Sequence, residues 1–240
     1  MRPCLALICL WMPSLSGLIP DVNVRAVIFD CDGVLVDTEH LKFLSWRDAL
    51  AAYGEPFTME EYMPLVGYTA PHILRAIEHA RARHIDEAVL PLRVEIYREL
   101  QEQGVPPRPK IVELARTLAA QKATLGIKLA VASSAPKSEI LANLRQIGVE
   151  DLFDAIVSGS NDLGAYVDPE GTNKPKPYIY IETAKRLGVP PDACLVFEDT
   201  KAGVQAAADA GMVVIATPNE LTQEQDFSRA NAILFEGNSS

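Results

Sequence analysis

Two aspartates two residues apart, Asp30 and Asp32, follow a short apolar run and precede Gly33. In extended backbone that separation returns a side chain to the same face, so the spacing predicts that both carboxylates share one small volume. Like charges that close repel, and one must be neutralised by a cation or keep a proton. A second acidic pair, Glu198 and Asp199, ends a later apolar run. In a doubly wound sheet the two strand ends open into one crevice. Asp30, Asp32 and Asp199, with Glu198, then form an all-oxygen cluster, whose hard donors select Mg²⁺ carrying several waters. Ser133 and Ser134 end another run and offer hydroxyl and backbone donors, and Lys174, in Asn173-Lys-Pro-Lys-Pro177, adds a positive charge. Taken singly, each piece has a plainer reading. An Asp at a strand end forms a turn or cap, the serines cap the helix that starts at Pro136, and a lysine is a solvated surface charge. Four such pieces ending successive strands in one crevice are harder to set aside.

The elements that must position these residues are readable as alternating runs. Strands are expected at 25–30, 128–134, 155–159, 194–199, 212–217 and 232–235. Near-continuous apolar strands alternating with helices predict a parallel sheet covered on both faces, a doubly wound α/β domain. Helices are expected at 111–119, 136–147, 179–187 and 202–210, the last three stopped by Gly148, Gly188 and Gly211. Residues 38–106 carry helical patterns only: 41–53, 58–66, 71–83 and 85–103, followed by the stiff Val105-Pro-Pro-Arg-Pro109. The expected organisation is an extension over 1–22, an α/β core over 23–37 and 107–240, and an all-helical cap over 38–106. An insert entering just after the first strand sits over the carboxyl ends of the strands and is placed to act as a lid.

The 240 residues are 48% hydrophobic and 22% charged, the balance of a globular chain that buries a core. The net charge of −10, with no basic run, argues against nucleic acid or an anionic membrane as partner. Four scattered cysteines, Cys4, Cys9, Cys31 and Cys194, form no C-x-x-C pair, which argues against a zinc site and a disulfide framework and for a reducing, cytoplasmic setting. A monomer is expected. The first residues loosely resemble a secretory signal, with Arg2, an apolar 5–11 stretch and small residues after it. The preferred reading is an extension that packs loosely or frays.

The ordered set Asp30-Cys-Asp32-Gly-Val-Leu-Val-Asp37-Thr38, Val131-Ala-Ser133-Ser134, Lys174-Pro-Lys-Pro177 and Phe197-Glu198-Asp199-Thr-Lys-Ala-Gly203 resembles the haloacid dehalogenase superfamily. The likeness is to its branch of β-phosphoglucomutase and sugar-phosphate phosphatases and covers about residues 24–236. That family has a Rossmann-like core and a helical cap inserted after its first motif. The resemblance implies that Asp30 is a nucleophile taking the phosphoryl group as an aspartyl phosphate. Asp32 is then general acid and base. Mg²⁺ is held by the Asp30 carboxylate, the Asp32 backbone carbonyl and Asp199, with Glu198 near. Ser133 and Lys174 hold phosphoryl oxygens, and Ser134, Thr38, Lys42 and Gly67 join the substrate contacts. An acid two residues after the nucleophile marks phosphate ester chemistry within the superfamily.

The implied activity is a Mg²⁺-dependent phosphatase acting on a small phosphorylated metabolite, a sugar phosphate by preference. The alternatives are a β-phosphoglucomutase-type phosphomutase and, in another class, a catalytically silent phosphometabolite-binding protein. The mutase pattern has a His where Lys42 stands and an Arg where Ala70 stands, and the missing Arg weakens that alternative. Lys42 and Arg75 could bind an anionic substrate group; the plainer reading of each is a solvated helix charge. His40 is expected to pack or hydrogen-bond locally. The 159–173 loop changes the mouth of the site in an unread way, and Tyr178 stands where an Asp is usual.

Overall fold

Strand β1 (Ala26–Phe29) is apolar throughout and buried on both faces, which suits the middle of a parallel sheet and no edge. In the computed structural model, which describes residues 2–20 and 22–235, it is flanked by β2 (Lys128–Ser133) and β4 (Cys194–Glu198). The six-stranded sheet runs β3-β2-β1-β4-β5-β6, with β3 at Ala155–Ser158, β5 at Val213–Ala216 and β6 at Ala232–Ile233, and every pairing is parallel. All six strands lie within the runs expected from the sequence. The chain leaves β1 toward β2 on one side and returns to β4 on the other, so β1 sits at the switch point where such sheets bind ligands. Phe29 is in register with Val131 and Phe197, and the Asp30 N–H donates to the Phe197 carbonyl at 3.0 Å. That register brings Asp30 level with Glu198.

Alternate residues feed two cores. Val27, Phe29, Val131 and Phe197 pack under α6 (Pro109–Leu125) and α7 (Lys137–Gln146). Ala26, Ile28, Ala132 and Val196 pack under α8 (Tyr178–Leu187) and α9 (Lys201–Asp209). Between β1 and β2 lie α2 (Glu39–Ala51), α3 (Met59–Tyr62), α4 (Ala70–Arg81) and α5 (Val89–Gln103). These four helices hold a third apolar cluster of their own, built on Phe43, Trp46, Leu50, Tyr62, Ile77 and Val89. The two chain segments joining them to the sheet run side by side. Asp37 N–H donates to the Pro106 carbonyl at 2.8 Å and Arg108 N–H to the Leu35 carbonyl at 2.9 Å. No described helix is long and apolar enough to cross a membrane.

The expectation of a loose or frayed beginning is corrected. Residues Pro3–Trp11 form a helix, α1, and Cys4, Leu5, Ile8, Cys9, Met12 and Leu15 join the first core cluster. Their spacing of one, three and four supplies one continuous apolar face, which finds cover against α6. Leu10, Trp11 and Leu18 point outward. Replacing Ile8, which is fully buried, by Ala is expected to lower the unfolding free energy by about 2–5 kcal/mol, as cavity-forming substitutions do. Leu10→Ser, at a 75% exposed position, should change it by less than about 0.5 kcal/mol. Urea titrations with unchanged slope test both, and equal small effects would mean that the helix is not part of the cooperative core.

Candidate active site

Three carboxylates meet just past the ends of β1 and β4. Asp30, Glu198 and Asp199 are all buried and each offers an oxygen within 4.8 Å of the others. Glu198 is fully engaged by protein donors. One oxygen accepts from Lys174 Nζ at 2.5 Å and Tyr180 Oη at 2.6 Å, and the other accepts from the Asp199 and Thr200 N–H groups at 3.0 and 3.3 Å. Asp199 Oδ2 accepts from Asn219 Nδ2 at 2.9 Å. Asp30 Oδ1 and Asp199 Oδ1 are buried without a hydrogen-bond partner, although Lys174 Nζ forms an ion pair with Asp30 Oδ1 at 3.1 Å. Buried oxygens left without donors are what a hard cation would satisfy, so the donor set fits Mg²⁺ through Asp30 and Asp199. Glu198 is placed to orient Lys174 and the strand end.

Two glycines let these groups approach. A Cβ on Gly33 would lie 1.9 Å from Asp199 Oδ2, and one on Gly203 would lie 1.9 Å from Glu198 Oε1. Thr200, the N-cap of α9, accepts from the Gly203 N–H at 3.1 Å. The cap role that an isolated Asp199 would fill is thereby taken by its neighbour. The Ser133 and Ser134 side chains are not helix caps either, because α7 starts later with Pro136 at its N-cap and no capping side chain.

Asp32 corrects the expectation drawn from the two-residue spacing. Its carboxylate lies outside the three-carboxylate group. Strand geometry ends at Phe29, and Gly33, at φ +81°, turns the chain. Asp32 Oδ1 accepts from Thr38 Oγ1 at 2.6 Å and lies 3.5 Å from Lys42 Nζ; Oδ2 accepts from Ser133 Oγ at 3.2 Å. Thr38 is fully buried behind Asp32 and does not line the cavity, which corrects its assignment as a substrate contact. Its hydroxyl orients Asp32 instead.

The two aspartates are in opposed electrostatic settings. Burial pushes the Asp30 carboxyl up to about 7, with Lys174 opposing and Glu198 and Asp32 reinforcing. Asp199 is raised well above the carboxylate range by burial, Glu198 and Asp30. Burial also acts to raise Asp32, but the Lys42 charge and the Thr38 and Ser133 hydroxyls outweigh it and hold it below its ordinary value. Lys174 is raised because Asp30 and Glu198 outweigh its burial.

Asp30, Asp32, Ser133, Ser134 and Lys174 line one cavity of about 440 Å³ with Lys42 and Gly67. Arg75 is exposed and does not line it. Residues that the sequence reading missed also face it: Glu39, which pairs with Lys42 at 2.7 Å and accepts from Tyr62 Oη at 2.9 Å, together with Tyr68, Arg93, Glu139 and Asn173. Glu39 and Asn173 directly adjoin quoted motifs but had been read only as their flanks, whereas Tyr68, Arg93 and Glu139 stand in a loop or in helices with no motif around them. The long loop after β3 contributes Ser160 and Asn173 to the cavity. Tyr178 ties that loop down by donating to Asp168 Oδ2 at 3.0 Å.

The raised carboxylates predict a pH dependence. Asp30 has an ordinary value of 3.8 and a native value of about 7, so the native state holds a proton that the unfolded chain releases between them. The stability this gives is full below the ordinary value and is lost as pH rises through the native one. In chelator, the melting temperature is expected to be lower at about pH 8 than at about pH 6, and Mg²⁺ should raise it more at the higher pH. Thermal scans at both values test this; a Mg²⁺ effect that is absent, or equal at the two, would refute the coupling.

The family model described as haloacid dehalogenase-like hydrolase matches residues 24–211. A phosphorylated carbohydrates phosphatase of Thermotoga maritima is 34% identical over 194 residues, covering 79% of this chain and 82% of that one. Fructose-1-phosphate phosphatase YqaB of Escherichia coli is 30% identical over 187 residues, covering 78% and 92%. A crystal structure of CbbY from Rhodobacter sphaeroides in complex with xylulose-(1,5)bisphosphate superposes with a TM-score of 0.70 at 27% identity, covering 88% of this chain and 93% of that one.

Proposed function

Because the chain belongs to the haloacid dehalogenase-like hydrolases, we propose that it is a Mg²⁺-dependent phosphatase of phosphorylated sugars that works through a phosphorylated Asp30. The observation that carries this reading is the opposed setting of the two aspartates. Asp30 faces Lys174 and an unsatisfied oxygen of Asp199, whereas Asp32 is held apart by Thr38, Ser133 and Lys42. Titratable neighbours with diverging environments mark different chemical roles. The phosphatase names of the two relatives, on phosphorylated carbohydrates and fructose 1-phosphate, support the substrate class.

Asp30 Oδ attacks phosphorus, the bond from phosphorus to the sugar oxygen breaks, and that oxygen takes a proton from Asp32. Water then attacks the phosphorus of the aspartyl phosphate, gives its proton to Asp32, and frees the Asp30 carboxylate with inorganic phosphate. Lys42 keeps Asp32 ionised in the structure described, the state that accepts a proton from water. The first step needs Asp32 protonated, which an incoming phosphate dianion favours by adding negative charge beside it. Lys174 and Ser133 hold phosphoryl oxygens, and Lys174 offsets the repulsion between Asp30 and the dianion. Mg²⁺, held by the Asp30 and Asp199 carboxylates and the Asp32 backbone carbonyl, would supply the remaining positive charge for phosphoryl transfer. The helices of 38–106 form the cap that shields these steps from water. Ala70 lines the cavity with a methyl group where a mutase carries an arginine, so the reading is hydrolysis rather than isomerisation.

A panel of sugar phosphates with Mg²⁺ should release inorganic phosphate. Asp30→Asn should reduce turnover by about 10⁴-fold or more, the scale seen for lost nucleophiles. Asp32→Asn should lower kcat by about 10²–10⁴-fold while substrate still binds. Isomerised sugar phosphate as the main product would favour a mutase, and wild-type turnover no higher than that of Asp30→Asn would favour a silent binding protein.

A further inference from the structure

Asn219 stands in the loop that follows β5, and its side-chain amide donates from Nδ2 to Asp199 Oδ2 at 2.9 Å. The loop itself sets the orientation of that amide. Asn219 Oδ1 accepts from the Leu221 N–H at 2.9 Å and the Thr222 N–H at 3.2 Å, so Nδ2 is the atom turned to Asp199. The Asn219 N–H closes the turn by donating to Thr222 Oγ1 at 3.0 Å, and Thr222 is fully buried. Further along, Gln225 Oε1 accepts from the Lys201 N–H at 2.7 Å, at the start of α9. On another side Asp199 Oδ2 is backed by Gly33, where no Cβ fits beside it. The second oxygen, Asp199 Oδ1, is buried with no hydrogen-bond partner. Asp199 therefore has one oxygen engaged by a neutral donor and one oxygen unengaged.

A carboxylate in that state offers a cation one ligand atom. Mg²⁺ demands a near-ideal octahedron of bonds about 2.0–2.1 Å long, which the narrow bite of a two-oxygen carboxylate does not fit. Ca²⁺, with longer bonds and flexible geometry, takes about 6–8 oxygens and binds carboxylates through one oxygen or through both. Glu198 does not supply the missing oxygen, because both of its own are engaged by protein donors. Resting on the metal site of the phosphatase reading, we propose that Asn219 is a positioning residue for the metal: it holds Asp199 to a single oxygen ligand and so favours Mg²⁺ over Ca²⁺. Asn219 acts through Asp199 rather than by ligating the ion. The selectivity then comes from a neutral amide in a loop outside the motifs that carry the carboxylates.

The test is metal binding to the full chain without substrate, by calorimetric titration of Mg²⁺ and of Ca²⁺ into the wild type, Asn219→Ser, Asn219→Asp and Gln225→Ala. Serine keeps a short side-chain oxygen for the loop N–H groups and loses the donor to Asp199. Aspartate keeps the shape of the side chain and replaces the donor by an oxygen. Gln225→Ala loosens the same loop and leaves the bond from Asn219 to Asp199 in place. Urea titrations in chelator establish that each variant is folded. Asn219→Ser should weaken Mg²⁺ about 10- to 100-fold, the usual loss when a group orienting a metal ligand is removed, and Ca²⁺ by less than about threefold. Asn219→Asp should move the ratio of the two constants toward Ca²⁺ as well, and Gln225→Ala should leave that ratio unchanged. An unchanged ratio in either Asn219 variant would overturn the proposal. An equal shift in Gln225→Ala would overturn it too and assign the effect to loop packing. These constants need no turnover, so a chain that binds the ions but releases no phosphate ends the phosphatase reading and leaves this measurement intact. A wild type that binds neither ion would remove the metal site and both readings with it.

Discussion

The structure is organised around a concentration of negative charge that the chain cannot neutralise by itself. Three carboxylates are gathered within 4.8 Å, away from water, against the ammonium of Lys174. At an effective dielectric of about 20, one pair of like charges 4 Å apart costs roughly 4 kcal/mol. The fold spends Lys174, Tyr180 and two backbone N–H groups on Glu198, which leaves Asp30 and Asp199 to be relieved by protons or by a cation. The same unrelieved charge that destabilises the cation-free state is what a divalent ion would offset. The parallel register of β1 against β4 forces this arrangement, because it allows no way for Asp30 to retreat from Glu198.

Sheet and insert divide the work. Asp30, Asp199 and Ser133 stand on or just beyond strand ends, held by the buried core beneath them, and Lys174 joins them from the loop that leads into α8. Lys42, Tyr62, Glu39 and Arg93 come from the helical insert, with its separate apolar cluster. Asp32 lies between the two. It belongs to the sheet by sequence, but two of its three side-chain neighbours, Thr38 and Lys42, come from the entrance to the insert. Its charge state is thereby tied to the position of α2, whereas that of Asp30 is set by the sheet.

The parts legible in the sequence were those repeated along the chain or fixed by backbone geometry. All six strands and their carboxyl-end residues could be read because apolar runs ending in polar residues are local patterns. The gathering of Asp30, Asp199, Glu198 and Lys174 followed from the topology of such strands. What escaped depends on contacts between distant segments. Gly33 and Gly203 stand in the quoted motifs without a stated reason, and only the closeness of Asp199 and Glu198 reveals why a side chain is excluded there. Arg93 sits in a helix rich in charged residues and carries no local sign that its neighbours are Trp46 and Tyr97. The side chain of Asp32 was misdirected by applying strand alternation past the end of the strand. The first helix was underestimated because its apolar face, though periodic, could not be assigned a partner from sequence.

The contact between insert and sheet explains why one further glycine is where it is. Gly67 has φ +93°, and a Cβ there would lie 3.1 Å from Thr200 Cγ2. Thr200 is also the residue that caps α9 and bonds Glu198 through its N–H and its hydroxyl. The insert loop therefore rests directly on a residue that supports the carboxylate cluster. A bulkier residue at 67 would either force the loop away from the sheet or press on Thr200 and, through it, on Glu198. The first outcome admits water and weakens every charge interaction in the cavity; the second disturbs the anchor of Lys174. The absence of a side chain at this one position lets the insert loop pack against Thr200 without pressing on the acidic centre.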